Sequence, residues 1–170
     1  RIKIMKIAYQ GISGSYSESC AKKMYPDCET ISCKTFDECF EKAILDNNVR
    51  SIIPESNKTT GNIGVEYLIF KYRLNIYAEH FFPIRHNLLG INGSNLGDIK
   101  DVYSHAQALS QSSNFIKKNN LNENVRADTA GSAKYISDID DKTKAAIASE
   151  LSANIYKLKI LKKDIQNEKN

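Results

Sequence analysis

Apolar stretches of strand length alternate along this chain with longer segments whose apolar residues recur at helical spacing. The strand candidates lie at residues 4–9, 29–33, 50–54, 101–103, 124–127, 145–148 and 159–161. Helix candidates begin near residues 17, 36, 65, 104, 129 and 149, and Thr35 with Glu38 forms a capping sequence before the second of them. Strands that alternate with helices in this way predict an α/β fold with mostly parallel sheets and helices on their faces.

Residues 74–91 interrupt this alternation. They are rich in β-branched and aromatic side chains and contain Pro83, which predicts two extended strands that cross from one lobe to another. A chain of 170 residues can form two small lobes that share a cleft, or one larger core. In parallel sheets the ligand usually lies beyond the carboxyl ends of the strands.

Composition narrows the functional classes. Hydrophobic residues make up 41% of the chain and charged residues 26%, as in a folded domain. The net charge of +4 is spread along the chain, which favours a solvated surface over a nucleic-acid-binding face. No apolar stretch approaches the roughly 20 residues that span a bilayer. Residues 1–9 lack the apolar core of a signal peptide, so we expect no membrane partner and a cytoplasmic location.

The candidate metal ligands show no metal-binding spacing. The four cysteines all fall within one quarter of the chain: Cys20, Cys28, Cys33 and Cys39. They form no C-x-x-C pair, which favours reduced, partly buried thiols, with two disulfides as the alternative. The three histidines are widely spaced: His80, His86 and His105. Since the usual phosphate-binding glycine motifs are also missing, the sequence predicts neither a metal nor a nucleotide cofactor.

Three strand-to-helix junctions carry hydroxyl groups and small residues, at 11–17, 104–107 and 129–133. The first turn of a helix offers unpaired N–H groups and the positive end of the helix dipole, and both favour a carboxylate or phosphate. Simple capping is the alternative, because Ser104 with Gln107 already matches the S-x-x-Q capping box. Three such junctions in one short chain favour a binding site for a small anionic metabolite.

Gln111 follows Ser104 by seven positions, so the two side chains return to nearly the same face of a helix. A hydroxyl and an amide on one face can bind the edge of a polar ligand. Two solvent-facing side chains would show the same spacing, and the sequence leaves both interpretations open.

At these junctions the chain resembles the prephenate dehydratase family. The most specific piece is SHAQALSQ at 104–111, which is similar to the family's SHxQALxQ motif. Weaker pieces occur in the family's order at 7–17, 82–90, 129–133, 145–149, 155–158 and 165–170. Together they cover nearly the whole chain.

The resemblance implies a fold and a reaction. The fold would be two α/β lobes of the periplasmic-binding-protein type II architecture, with residues 1–76 in the first lobe, 77–162 in the second and 163–170 returning towards the first. The reaction would be the decarboxylation and dehydration of prephenate to phenylpyruvate, in phenylalanine biosynthesis by the shikimate pathway. The closely similar arogenate is the other substrate that the resemblance implies. It further implies no cofactor and a homodimer or homotetramer.

The resemblance also assigns residues to the site. Ser104 and Gln111 would contact the substrate, with His105 and Gln107 in the same motif. The hydroxyl of Thr129 and the amides of Ala130 and Gly131 would hold a carboxylate, and Asn57 would lie in a substrate-contacting loop.

Two departures from the family pattern favour an alternative function. The family reads P-I-E-N-S-x-x-G after the third strand, whereas Pro54 and Gly61 here enclose ESNKTT; without a gap, Ser56 replaces the family's Glu and Lys58 its Ser. The family's catalytic Thr-Arg-Phe motif would lie beyond Asn170, so the sequence names no catalytic residue. The alternative is a non-catalytic module that binds or senses a small carboxylate, and the regulatory ACT domain that often follows is not among these residues.

Overall fold

The computed structural model describes residues 4–57 and 61–168, with Asn57 described by its backbone alone. These residues form two compact units. The first unit contains residues 4–12 and Ser17–Phe82, and the second contains Ser13–Tyr16 and residues 83–168. The division into lobes at residues 76, 162 and 170 stays a prediction.

The first unit is built on a small parallel sheet. Its elements are β1 (Lys6–Gln10), α1 (Tyr16–Met24, whose first residue belongs to the second unit), β2 (Glu29–Cys33), α2 (Phe36–Leu45), β3 (Val49–Ile52), β4 (Ser56–Asn57), β5 (Gly61–Asn62) and α3 (Glu66–Tyr72). The main sheet has the order β2-β1-β3 with all strands parallel, and β4 pairs with β5 as a short antiparallel hairpin. The central strand β1 buries three successive residues, Ile7, Ala8 and Tyr9, as expected for a strand covered on both faces.

The capping sequence before α2 is confirmed. The Oγ1 atom of Thr35 accepts a hydrogen bond from the backbone N–H of Glu38 at 3.1 Å. The Glu38 carboxylate in turn accepts from the backbone N–H of Lys34 at 2.7 Å. These local contacts satisfy N–H groups that the start of a helix leaves unpaired.

The second unit contains a five-stranded sheet. Its elements are β6 (Asn87–Gly90), a 3₁₀ turn (Leu96–Asp98), β7 (Asp101–Ser104), α4 (Ala106–Gln111), α5 (Ser113–Lys118), β8 (Asn122–Val125), α6 (Thr129–Ile139), β9 (Lys144–Ala148), α7 (Glu150–Ile155) and β10 (Lys159–Lys162). The strand order is β10-β6-β9-β7-β8. Strands β7, β8 and β9 are parallel, whereas β6 is antiparallel to both β9 and β10. The α/β class is confirmed, and β6 is the strand of this sheet that runs against the other four.

Alternate residues of the sheet pack into two separate cores. On one face, Ala145 and Ile147 of β9 pack with residues of α4 and α5. On the other face, Ala146 and Ala148 pack with residues of α6 and α7. Because β9 lies between β6 and β7 and is covered on both faces, its last four residues are all buried.

Two sequence predictions about these elements are wrong. The helix predicted to begin near residue 104 is instead two short helices, α4 and α5, that meet at Ser112. The carbonyls of Ser110 and Gln111 accept from the side-chain and backbone N–H groups of Asn167, so a distant segment replaces the next helical turn. Of the two strands predicted at 74–91, only β6 forms, and 74–86 contains no regular element.

Candidate functional site

Several strands of the second unit present their adjoining loops at one end of the sheet. The parallel strands β7, β8 and β9 end there and are followed by α4, α6 and α7. Strand β6 runs the opposite way and pairs Asn87 with Ala148, so His86 lies at the same end. We refer to this end, defined by His86, Ser104, Asp128 and Ser149, as the carboxyl end of the sheet. Most of the predicted substrate-contacting residues lie at or near it.

Ser104 is the last residue of β7 and has no exposed surface. Its hydroxyl donates to the backbone carbonyl of Ile147 in β9 at 2.6 Å. This hydrogen bond ties together the ends of the two neighbouring strands. The predicted contact between Ser104 and substrate stays a prediction, and the structure shows a hydroxyl that is already engaged inside the sheet.

His105, not Ser104, caps α4. Its Nδ1 atom accepts from the backbone N–H of Gln107 at 3.2 Å, and its ring is exposed. The S-x-x-Q capping box considered for Ser104 is therefore wrong, because Ser104 is still part of β7. His105 lies on the surface of the carboxyl end, and the Gln107 side chain is half-buried.

The start of α6 carries the three predicted carboxylate-binding residues Thr129, Ala130 and Gly131. Its N-cap is Asp128, whose Oδ1 atom accepts from the backbone N–H of Gly131 at 2.5 Å. A Cβ atom at Gly131 would lie 2.9 Å from the Asp128 carboxylate, so a glycine at this position lets the cap close. One of the three predicted donors is thus occupied by a carboxylate of the chain itself.

Gln111 takes part in a buried chain of side-chain hydrogen bonds. Its Oε1 atom lies 2.8 Å from Nε2 of His86, and Nδ1 of His86 lies 2.7 Å from the hydroxyl of Tyr16. The Tyr16 hydroxyl also lies 3.0 Å from the backbone carbonyl of Arg85. The rings of Tyr16 and His86 meet edge to face, with centroids 5.5 Å apart. The structure therefore brings together three polar side chains from three separate parts of the sequence.

His86 in this chain is held as a neutral imidazole. Only 3% of the residue is exposed, and burial lowers the pKa of His86 below its ordinary value, with the hydrogen bond to Gln111 opposing that shift. Burial likewise raises the pKa of the Tyr16 hydroxyl, so this group stays protonated. The three hydrogen-bonded side chains of Tyr16, His86 and Gln111 carry no net charge, so they can share or relay hydrogen bonds without an ion pair.

Residues Ile165–Asn167 form hydrogen bonds with the backbone of both His86 and Gln111. The N–H of His86 donates to Oε1 of Gln166 at 3.0 Å, and the carbonyl of His86 accepts from the N–H of Ile165 at 2.9 Å. The N–H of Asn167 donates to the carbonyl of Gln111 at 2.6 Å. Ile165 is buried in the core, which anchors the segment.

Residues Ser13 and Gly14 of the first junction accept hydrogen bonds from hydroxyl groups at both ends of α7. The carbonyl of Gly14 accepts from Oγ of both Ser149 and Ser152, at 2.6 and 2.8 Å. The hydroxyl of Tyr156 donates to the carbonyl of Ser13 at 2.6 Å. These contacts place Ser13–Tyr16 within the second unit and bring the Tyr16 side chain next to His86.

The remaining predicted features lie elsewhere. The side chain of Asn57 and all of 58–60 lie outside the described residues. All four cysteines are free thiols. Within 4–57 and 61–168, no group of three or more His, Cys, Asp or Glu residues is placed to hold a metal ion. No helix in the same ranges is long and apolar enough to cross a membrane.

The sequence did not identify His86, Tyr16 or the segment 165–167, which holds the backbone of His86 and Gln111, as parts of the site. His86 and Tyr16 both occur in the pieces that carry the family resemblance, so a signal was present. A histidine directly before a fully buried strand was the second signal. Neither signal identifies the partner, because the residues that meet here are 70 and 25 positions apart.

Comparison with known proteins matches this chain to one family. The profile of the family described as prephenate dehydratase matches residues 7–170. Arogenate dehydratase 2 of Petunia hybrida is 42% identical over 165 residues, covering 96% of this chain and 42% of that protein. Arogenate dehydratase/prephenate dehydratase 2, chloroplastic, of Arabidopsis thaliana is 41% identical, covering 96% and 43%. The chain therefore spans less than half the length of these relatives.

Solved structures show the same fold. A protein described as a novel type of quorum quenching acylase is 31% identical with a TM-score of 0.89, covering 95% of this chain and 60% of that one. Prephenate dehydratase of Arthrobacter aurescens in complex with L-Phe has a TM-score of 0.86 at 23% identity, covering 97% and 57%. The likeness to dehydratase structures confirms the fold class, an α/β fold of the periplasmic-binding-protein type II. From the profile match across residues 7–170, we conclude that this chain belongs to the prephenate dehydratase family.

Proposed function

We propose that the protein is a prephenate dehydratase, a lyase that converts prephenate to phenylpyruvate in phenylalanine biosynthesis. The observation that carries the proposal is the family match over residues 7–170, which takes in the whole carboxyl end of the second unit's sheet. The buried chain Tyr16–His86–Gln111 supports it, because an uncharged network suits a reaction that needs positioned hydrogen bonds and no cofactor.

The reaction needs positioned donors rather than a strong acid or base. The bond between the ring and its carboxylate breaks to release carbon dioxide, and the bonding electron pair enters the ring. The ring hydroxyl departs with a proton as water, and the ring becomes aromatic. A neutral hydrogen-bond donor can assist that departure, while the gain of aromaticity supplies much of the driving force.

The described residues offer contacts for a dicarboxylate. We propose that the start of α6 receives one carboxylate through Thr129 and the N–H of Ala130, since the N–H of Gly131 is engaged by Asp128. Gln111 would contact a polar group of the substrate from the end of α4. The further contacts of Ser104, His105, Gln107 and Asn57 with substrate are proposals of the same kind.

Prephenate is the proposed substrate, and arogenate is the competing one. Two relatives are named as acting on arogenate, or on arogenate and prephenate. The two substrates differ where arogenate carries an ammonium group in place of a keto group. Side-by-side turnover of the two compounds tests this preference.

Location and assembly are further proposals. We propose the cytoplasm as the location, although a relative from Arabidopsis thaliana is named as chloroplastic. A homodimer or homotetramer is the proposed assembly. Fractionation of the source cells with an antibody against the chain tests the first, and light scattering of the purified protein tests the second.

The function is tested by incubating the purified protein with prephenate and following phenylpyruvate. We expect the purified protein to convert prephenate to phenylpyruvate. Binding of prephenate or phenylpyruvate without turnover would favour the alternative, a small-carboxylate-binding or sensing module. Hydrolysis of an acylated amine instead would favour the activity named for the acylase structure.

A further inference from the structure

The structure points to a role for His86 that rests on the proposed function: we propose that His86 is a positioning residue that fixes the orientation of the Gln111 amide. Through Nε2–H, His86 holds the amide oxygen of Gln111, so that Gln111 presents its NH₂ group to an oxygen of the substrate. Gln111 then acts as a hydrogen-bond donor. Tyr16 holds the tautomer of His86 on which this depends.

The tautomer follows from the contacts. The carbonyl oxygen of an amide can only accept hydrogen bonds, so with Oε1 of Gln111 at 2.8 Å from Nε2 of His86 the proposed arrangement has its proton on Nε2. A neutral imidazole then has no proton on Nδ1, and in this arrangement Nδ1 accepts from the Tyr16 hydroxyl, which lies 2.7 Å away. The carbonyl of Arg85, at 3.0 Å, is a second acceptor for the same hydroxyl.

The imidazole ring of His86 cannot flip, and so exchange the partners of Nδ1 and Nε2, at a low cost in free energy. Its backbone N–H and carbonyl are engaged by Gln166 and Ile165, and the residue is almost completely buried. The edge-to-face contact with Tyr16 fixes the plane of the ring. The carbonyl of Gln111 is held by Asn167 in the same segment, so both partners are anchored on one side.

A glutamine side chain whose amide orientation is already fixed loses less conformational entropy when the substrate binds. It also cannot offer its oxygen to an anionic substrate. A freely turning glutamine would place its oxygen towards the anion in part of its population, which repels the ligand. Preorganised donors of this kind give more to catalysis than equally numerous mobile ones. The expected loss on removing the His86 donor is about tenfold in kcat/KM, as for one neutral hydrogen bond.

A double-mutant cycle on the whole protein tests the inference. We expect His86→Phe and Gln111→Ala each to lower kcat/KM for prephenate about tenfold. If His86 acts through Gln111, the double variant also falls about tenfold rather than about a hundredfold. His86→Gln, whose amide N–H can reach the same oxygen, restores most of the activity. His80→Phe, on an exposed histidine of the first unit, serves as the matched control.

A hundredfold loss in the double variant, or unchanged kinetics in His86→Phe, would overturn the inference. Absence of turnover by the wild-type protein would instead overturn the proposed function. The tautomer of His86 then tests the positioning role independently of activity: nitrogen-detected NMR should find His86 of the wild-type chain neutral with its proton on Nε2. A proton on Nδ1 would contradict the positioning role whatever the activity. This NMR measurement uses only the wild-type chain, so it tests the inference even if the His86→Phe variant fails to fold.

Discussion

At the scale of single residues, Ser104 shows how a hydroxyl that the sequence assigns to substrate contact can also stabilise the fold. Its hydroxyl donates to the carbonyl of Ile147 at 2.6 Å inside the sheet. Replacement by alanine removes this donor and leaves a buried carbonyl with one partner fewer. A buried polar group that loses a partner costs about 1–2 kcal/mol.

We therefore expect Ser104→Ala to lower the free energy of unfolding by about 1–2 kcal/mol, measured by urea denaturation. Ser110→Ala, at an exposed position of α4, is the matched control and should stay within about 0.5 kcal/mol of the wild type. Equal stability of the two variants would mean that the hydroxyl of Ser104 contributes nothing to the sheet.

The buried imidazole of His86 makes stability depend on pH. Its pKa in the native state is lowered from 6.5 by burial, so the unfolded chain binds the proton more readily. The stability from keeping His86 neutral is therefore complete above pH 6.5 and decreases as the pH falls below that value. It stops decreasing below the native pKa.

Denaturation curves measured between pH 7.5 and about 5 test this dependence. We expect His86→Gln to lose part of the decrease in stability that the wild type shows as the pH falls. His80→Gln, at an exposed position, should keep the wild-type dependence. Identical pH dependence in the wild type and His86→Gln would contradict a neutral buried His86.

At the scale of elements, the turn at Gly14 connects β1 to the second unit. Gly14 has a φ of +95°, a backbone conformation that side-chain-bearing residues rarely adopt. A Cβ atom here would lie 2.5 Å from Oγ and 3.0 Å from Cα of Ser152. Both the backbone and the neighbouring hydroxyl groups therefore require glycine.

Gly14→Ala should lower the free energy of unfolding by more than about 2 kcal/mol. It should also displace Tyr16 from His86, which NMR of the imidazole nitrogens would detect. Gly97→Ala is the matched control, because it lies in the 3₁₀ turn with no atom within 4 Å of the added carbon. A Gly14→Ala variant as stable as Gly97→Ala would show that the turn can relax.

Elements defined by neighbouring residues could be predicted from the sequence. Thr35 and Glu38 cap α2 because both partners lie within one turn, and β9 is a short apolar run between polar segments. The break between α4 and α5 could not be predicted, because it depends on Asn167, more than fifty positions away. The hydrogen bonds of His86 are also long-range, and no local pattern encodes them.

At the scale of the whole molecule, topology explains the remaining differences. Alternation of strands and helices predicts the α/β class, but it does not show that β6 runs against β9 and the other strands of this sheet. This reversal brings His86 to the carboxyl end of the sheet. The same applies to Ser13–Tyr16, which lie beside β1 in the sequence and belong to the second unit in space. The sequence predicts that Ser104 and Thr129 lie at the carboxyl ends of β7 and β8. The contact of His86 with Gln111 could not be predicted in the same way, because it requires the reversed strand β6.

We propose that this protein decarboxylates and dehydrates prephenate. The most direct measurement follows carbon dioxide and phenylpyruvate together during incubation of the whole protein with prephenate, beside the Gln111→Ala variant. We expect equimolar formation of both products, with about a tenfold lower kcat/KM in the variant. Formation of neither product by the folded whole protein, or equal rates in the wild type and Gln111→Ala, would overturn the proposed function and the role of Gln111.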